Sequence, residues 1–336
     1  MTAAPVPPLA LTMGEPAGIG GEITLKAWAQ RNTSHVPPFF VLGDPARLSA
    51  LSDMLGLSVP IKSIGAPEQS AKVFETALPV LSIGDVTPVT IGKVSGSTAA
   101  AVLKSIDKAV ALTQAGEAAA VVTNPIQKAV LYEAGFSHQG HTDYLASLCD
   151  DNPTPVMMLA SDALRVVPVT VHIPIEQVPG ALTREAIVAA GAITAASLKS
   201  DFGIENPKLL VAGLNPHAGE GGSIGREEDI IRLAINDLVA MGHKVVGPFP
   251  ADSLFHDAAR AKYDAALCMY HDQALIPIKT ISFDTAVNVT LGLPFVRTSP
   301  DHGTALDIAG QGIASPTGLI EALKMAAAHA AAREKL

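Results

Sequence analysis

Three histidines stand where imidazoles could do metal chemistry: His172 in Val-His-Ile-Pro, His217 in Leu-Asn-Pro-His-Ala-Gly-Glu-Gly-Gly, and His271 in Met-Tyr-His-Asp-Gln. Each follows an apolar run and falls in a polar loop. Their separations of 45 and 54 residues make no motif. Neutral imidazoles nevertheless suit zinc, cobalt and similar divalent ions, and three protein ligands with one open position is the catalytic arrangement. The alternative for each is a hydrogen-bonded loop histidine. A second group, Lys279, Asn288 and Arg297 with Gly140-His141-Thr142, offers two cations and several neutral donors. Such a set can hold a phosphate or carboxylate, arginine by its fork and lysine as a point charge, although each residue alone also reads as solvated surface. Asp252, in Gly-Pro-Phe-Pro-Ala-Asp-Ser, and Asp272, beside His271, are candidates to orient a ligand or accept a proton, or else to cap a turn. The third feature is a long run of small residues from His302 to Pro316, containing Gly303, Thr304, Ala305, Asp307, Ala309 and Gly310. Loops of this kind are uncommon in a compact domain unless they bind something.

A fourth candidate fails its test. Gly14, Gly18, Gly20 and Gly21 precede a predicted helix whose N-terminus could receive an anion. A dinucleotide fingerprint beginning at Gly18 needs glycine where Ile23 stands, and no Gly-Lys-Ser/Thr follows for a P-loop. A tight strand-to-helix turn is the simpler reading.

The elements that must position these residues alternate between short β-branched runs and longer amphipathic stretches, the pattern of an α/β protein with a mostly parallel sheet. Strands are expected at Leu9–Thr12, 119–123, Val166–His172, Leu209–Gly213 and Ala265–Tyr270. Helices are expected from Glu22, from an N-cap at Ser97 to near Gly116, over Thr183–Lys199, over Gly225–Met241 and from Pro316-Thr317 onwards. Neither an internal repeat nor a low-complexity linker is evident. In open α/β sheets ligands gather beyond the carboxyl ends of strands, which is where the histidines fall.

Composition narrows the function classes. A chain of 336 residues and 34.6 kDa has room for about two domains. The net charge of −9 and pI of about 5.5 argue against broad capture of nucleic acid or an anionic membrane, so an anionic substrate must be held locally. With 48% hydrophobic and 16% charged residues the chain can pack a core, built of Ala, Val, Leu and Ile because aromatics are only 4%. Mean hydropathy is +0.33, yet Ala186–Leu198, among the longest uncharged runs, is too short to span a bilayer. The first positive side chain is Lys26, and Pro5, Pro7 and Pro8 interrupt the start, so no secretory leader is expected. Cys149 and Cys268 form no CxxC, in keeping with a reducing, cytoplasmic setting.

Six ordered blocks then carry a family resemblance: Gly-Glu-Pro-Ala-Gly-Ile-Gly near the N-terminus, Gly-His-Thr at 140–142, Gly-Leu-Asn-Pro-His-Ala-Gly-Glu at 213–220, Gly-Pro-x-Pro-Ala-Asp at 247–252, Met-Tyr-His-Asp-Gln at 269–273, and Val-Asn-Val-Thr-Leu-Gly-Leu-Pro-Phe-Val-Arg-Thr-Ser at 287–299. The chain resembles, nearly end to end, the 4-hydroxythreonine-4-phosphate dehydrogenase family of pyridoxal phosphate biosynthesis. Its 302–316 loop is similar to the adenosine-binding loop of isocitrate and isopropylmalate dehydrogenases, which bind NAD(P) without a Rossmann fingerprint. The resemblance implies an α/β fold of two α/β/α domains with a cleft between them, isocitrate/isopropylmalate dehydrogenase-like. One domain, 1–130 plus 290–336, would be built from both chain ends and carry the cofactor loop; the other, 131–289, would carry metal ligands and dimer contacts.

The same resemblance implies that His172, His217 and His271 bind a divalent ion (Zn2+, Mg2+ or Co2+) and that His141, Thr142, Lys279, Asn288 and Arg297 bind substrate. The cofactor would be NAD or NADP, held by His302, Gly303, Thr304, Ala305, Asp307, Ala309 and Gly310. It further implies a homodimer in which His271 reaches the partner's site. The substrate would be a small phosphorylated hydroxy amino acid; nucleic acid and membrane are not expected partners. Two departures from the family pattern, Gly21 for proline and Ser223-Ile224 for a bulkier pair, touch neither metal nor phosphate positions. Rival substrates inside the family are 4-phospho-erythronate, 4-phospho-threonate and a dihydrodiol dicarboxylate. From other classes, a metal-dependent hydrolase or aldolase could use three histidines, but the 302–316 loop speaks against it; a non-catalytic anion-binding module ranks lower still.

Overall fold

The computed structural model describes residues 6–86, 88–138 and 140–335; Pro5, named above for the start of the chain, lies outside them. By its contacts the chain separates into two compact units, Met1–Thr154 with Leu293–Ala331, and Pro155–Gly292 with Ala332–Leu336. The first boundary falls well beyond the expected 130/131, for a packing reason. The helices Lys128–Glu133 and His141–Ser147 insert Val130, Leu131, Leu145 and Ala146 into the same core as Val102 and Ile106.

In chain order the strands are β1 (Leu9–Thr12), β2 (Phe39–Gly43), β3 (Ile61–Ile64), β4 (Leu78–Ser82), β5 (Val121–Val122), β6 (Val156–Ala160), β7 (Arg165–Pro168), β8 (Lys208–Ala212), β9 (Lys244–Phe249), β10 (Ala265–Cys268), β11 (Val287–Leu291) and β12 (Arg297–Pro300). The first unit orders them β3-β4-β2-β1-β5-β12, with every pair parallel. β1 and β2 are buried along their whole length, as strands covered by helices on both faces must be. The second unit orders its strands β11-β6-β7-β10-β8-β9. Here β7, β10, β8 and β9 run parallel, and β11 and β6 pair antiparallel.

Most predicted elements exist, with shifted ends. The helix expected from Ser97 is Ala99–Gln114. A 3-10 turn, Gly96–Thr98, precedes it, and the cap is Ser95, whose Oγ accepts the Ser97 N–H at 3.3 Å. That helix buries Val102, Ile106, Ala109 and Val110 along one stripe. Thr183 caps Arg184–Ser200, accepting the Ala186 N–H at 3.1 Å. The first helix starts at Gly20, the Gly225–Met241 helix is Glu227–Ala240, and the last is Thr317–Arg333. The strands are shorter than expected. β7 stops at Pro168 rather than His172, because His172 sits at φ +50°, outside the extended region. β2, β3, β4, β6, β9, β11 and β12 were not anticipated.

Among the described residues no single helix is long and apolar enough to cross a membrane.

Candidate active site

In the second unit the three predicted histidines follow three neighbouring parallel strands. The order β7-β10-β8 sets their carboxyl ends side by side, and the loop after each carries one imidazole: His172 after β7, His271 after β10, His217 after β8. Pairing continues beyond the strands. The Val169 N–H donates to the Cys268 carbonyl at 2.8 Å, and Thr170 Oγ1 donates to the Met269 carbonyl at 2.8 Å. These ties bring the rings of His172 and His271 to 5.9 Å between centroids. Both line an open cavity of about 250 Å³, together with Ile173, Ile175, Tyr270 and Asp272.

His271 opens the helix His271–Ser282, and its Nδ1 lies 2.7 Å from Asp272 Oδ1. A carboxylate accepts, and a neutral ring donating to it from Nδ1 keeps its lone pair at Nε2, the tautomer a metal ligand needs. In this respect the donor set fits a divalent ion. His217 does not line this cavity, and among the described residues no three His, Cys, Asp or Glu side chains gather closely enough to share one ion. The structure therefore brings together two of the three predicted ligands. Asp252 sits exposed in the 3-10 turn Ala251–Ser253 after β9.

The turn that bears His217 has an unusual backbone. His217, Ala218, Gly219, Glu220, Gly221 and Gly222 have φ of +55°, +51°, +74°, +42°, +69° and +100°. A left-handed residue other than glycine costs about 1–2 kcal/mol. Gln273 ties this region to its neighbour: its Oε1 accepts the Met269 N–H at 2.7 Å and its Nε2 donates to the Gly213 carbonyl at 2.8 Å. One buried amide thus links the loops of His271 and His217. Gln273 closes the Met-Tyr-His-Asp-Gln block and was passed over in the sequence, where its neighbours drew the attention.

The predicted anion group divides between the units. In the first, Arg297 opens β12, is 3% exposed, and donates from Nη2 to Thr123 Oγ1 at 2.7 Å. Burial lowers its pKa to about 10, so it stays charged at neutral pH. His141 is the first residue of its helix and Thr142 the second; His141 Nε2 is buried and, among the described residues, has no hydrogen-bond partner. Burial, and then the charges of Arg297 and Lys128, push the His141 pKa well below 6.5, which makes it a neutral imidazole beside two cations. Lys128 is a further member that the sequence did not single out. It passes over Gly140, where a Cβ would stand 3.1 Å from its Cε. Lys279 and Asn288 belong to the second unit. Lys279 is on the His271 helix, with Nζ 6.0 Å from the Phe283 ring centroid, and Asn288 is in β11 opposite Leu159.

The 302–316 loop is fastened to the first helix of its own unit. Thr304 O accepts the Ile19 N–H at 3.0 Å, and a Cβ on Gly18 would lie 2.7 Å from that oxygen. Gly18 therefore admits this loop, whereas a Cβ at Gly14 would meet Asn124 and one at Gly21 would meet Leu51. Lys26 Nζ donates to the carbonyls of Gly312 at 2.8 Å and Ala314 at 2.7 Å, while buried Glu22 accepts the Ala314 N–H at 2.9 Å. At the other end His302 and Gly303 are exposed, and a Cβ on Gly303 would meet nothing within 4 Å. An open glycine beside an imidazole fits a flat heterocycle such as a nucleotide base. Ala305 (φ +42°), exposed Asp307, Ala309 and Gly310 (φ +76°) follow, with Gly310 set against Ile91.

The two α/β units carry, in one, imidazoles beyond parallel strand ends and, in the other, a desolvated cation group with a long anchored loop, an arrangement able to bind a small anionic molecule. Residues 35–326 match the family model for the pyridoxal phosphate biosynthetic protein PdxA. The chain is 53% identical to the 4-hydroxythreonine-4-phosphate dehydrogenase of Bradyrhizobium diazoefficiens, over 97% of this chain and 98% of that one. A crystal structure of 4-hydroxythreonine-4-phosphate dehydrogenase from Klebsiella pneumoniae superimposes with TM-score 0.87 at 34% identity, covering 96% of this chain and 99% of that one. A terephthalate 1,2-cis-dihydrodiol dehydrogenase from Burkholderia xenovorans gives TM-score 0.65 at 26% identity, covering 95% and 97%. The chain belongs to the PdxA family and is an oxidoreductase.

Proposed function

We propose that this enzyme oxidises 4-phosphooxy-L-threonine to 2-amino-3-oxo-4-phosphooxybutanoate, a β-keto acid that decarboxylates to 3-amino-2-oxopropyl phosphate, in pyridoxine 5'-phosphate biosynthesis. The reaction would use NAD or NADP and a divalent ion (Zn2+, Mg2+ or Co2+). What carries this reading is the paired His172 and His271 edge in a chain half identical to dehydrogenases of that name. When bound, the ion supplies Lewis acidity at the secondary hydroxyl and the nicotinamide accepts hydride. The protein's own part is positioning. His172, His217 and His271 would hold the ion, with Asp272 keeping the His271 lone pair at Nε2. Arg297, His141, Thr142, Lys279 and Asn288 would hold substrate, the desolvated guanidinium gripping phosphate oxygens while neutral His141 offers a hydrogen bond. Contacts remote from the reacting carbon align it for hydride loss. The 302–316 residues named above would hold the cofactor. The proposed setting is cytoplasmic, supported by two free, buried thiols.

The test is NADH production across a panel of 4-phosphooxy-L-threonine, 4-phospho-erythronate, 4-phospho-threonate and a terephthalate dihydrodiol, with metal removed and restored. The expected result is the highest kcat/KM for 4-phosphooxy-L-threonine and loss of turnover on chelation. A second reading, oxidation of a dihydrodiol dicarboxylate, is favoured by the likeness to the Burkholderia xenovorans enzyme. Turnover of the dihydrodiol alone would establish it and overturn the first.

We propose also a homodimer whose sites draw on both chains. Ile276, on the His271 helix, and Phe283, its C-cap residue, are large exposed apolar side chains of the kind that a partner chain covers. Family resemblance assigns His271 to the partner's ion, whereas the structure sets it beside His172 of its own chain. Mixing His172→Ala with His271→Ala chains decides between them. A shared site restores roughly one quarter of wild-type activity on random pairing. No recovery, with exchange verified by mass, leaves His271 serving its own chain.

A further inference from the structure

The left-handed turn from His217 to Gly222 contains three residues other than glycine, and such a backbone persists only where its surroundings over-determine it. The surroundings here are one buried carboxylate. Glu228, the second residue of the Glu227–Ala240 helix, is 1% exposed. Its Oε1 accepts the Asn215 backbone N–H at 2.7 Å, and its Oε2 accepts Asn215 Nδ2 at 3.0 Å. The same Nδ2 donates to Glu227 Oε2 at 2.8 Å. The turn then wraps the carboxylate closely: a Cβ at Gly219 would stand 2.5 Å from Glu228 Oε2, and one at Gly213 would stand 2.8 Å from the Ala218 Cα. Further along, the Ile224 N–H closes on the Gly219 carbonyl at 3.1 Å.

From this arrangement we propose that Glu228, gripping Asn215 through both backbone and side chain, is the positioning residue that sets His217 as a metal ligand. Asn215 lies two residues before His217, so a grip at both its donors fixes where the chain enters the turn and hence where the imidazole points. The helix supplies the rigid base. Glycine at 219 leaves room for the Glu228 carboxyl group, so the unusual backbone and the buried side chain explain each other. Sequence spacing alone shows none of this, because Glu228 stands eleven residues beyond the histidine that it would position. The inference rests on the reading of His217 as a ligand.

The test uses the full-length protein, stripped of metal and titrated with Co2+, with calorimetry and the visible d–d spectrum as readouts. Amide hydrogen exchange across 217–222 is measured on the metal-free protein. Glu228→Ala should weaken Co2+ binding about 10- to 100-fold, the range for residues that orient a ligand, alter the spectrum and speed exchange in the turn. Glu228→Gln, which keeps one acceptor for the Asn215 N–H, should recover part of the loss. Asn215→Ala removes the same grip at a half-buried site and carries the test if Glu228→Ala does not fold. Wild-type Co2+ affinity and spectrum in Glu228→Ala or Asn215→Ala, with binding lost in His217→Ala, would overturn the proposal while leaving His217 a ligand. Normal Co2+ binding by His217→Ala would overturn both the ligand reading and the inference built on it.

Discussion

His172 and His217 stand exposed on loops at φ +50° and +55° in the second unit, whereas Arg297 of the first lies in a regular strand with 3% of its surface exposed. The two regions meet different physical demands. On the function proposed above, the imidazoles must be reachable, and the cost at their site falls on the backbone, which is bent into the left-handed region. An anion anchor must be charged and stripped of water to grip strongly. Its backbone is ordinary, and the cost appears as a guanidinium pKa lowered to about 10. Strain marks one site and desolvation the other.

The comparison breaks most visibly at the histidines. His172→Ala or His271→Ala should lower turnover more than about a hundredfold, with bound metal falling in parallel, since removing a ligand costs more than disturbing its support. Metal analysis and steady-state kinetics on folded protein check this. Full turnover in a metal-free His172→Ala enzyme would end the assignment. A smaller effect is expected at the desolvated site. Arg297→Lys keeps the charge but loses the planar fork, so KM for the phosphorylated substrate should rise about tenfold or more with NAD affinity nearly unchanged. Calorimetry showing the reverse pattern would move Arg297 to the cofactor site.

The legibility of these regions in the sequence differs for the same reasons. Strand ends followed by histidines could be read because buried parallel strands are continuous apolar runs and proline or glycine stops them, so β1 matched and β8 shifted by one residue. β6 and β11 were missed. Their antiparallel pairing joins segments more than a hundred residues apart in a chain otherwise patterned for parallel sheet, and no local spacing records it. Among site residues, the reactive types announced themselves, while their supports did not. Gln273, Glu228 and Lys26 act through hydrogen bonds to backbone groups elsewhere in the chain, and Asn215 through the carboxylates of Glu227 and Glu228; no local spacing records such partners. Lys128 escaped notice because its role depends on Gly140 leaving space above it.

The subtlest way to sharpen the contrast lies at His141, which belongs to the desolvated group yet is an imidazole. Its pKa is pushed well below 6.5 by burial and then by Arg297 and Lys128. Below about pH 6.5 the unfolded chain takes up a proton at this residue and the folded chain does not, so this group makes stability fall as pH drops, and has no effect above that window. The Tm of the wild type should therefore decline between pH 6.5 and 5 more steeply than that of His141→Gln, which cannot titrate, while the two should run parallel from pH 7 to 8. A phosphate anion bound beside Arg297 would oppose the two cations and lift the His141 pKa towards its ordinary value. Inorganic phosphate should then flatten the acid decline in the wild type and leave the variant's slope unchanged. Equal slopes for both proteins without phosphate would mean that water reaches the His141 ring, and the division between an exposed, strained site and a desolvated, charged one would no longer hold.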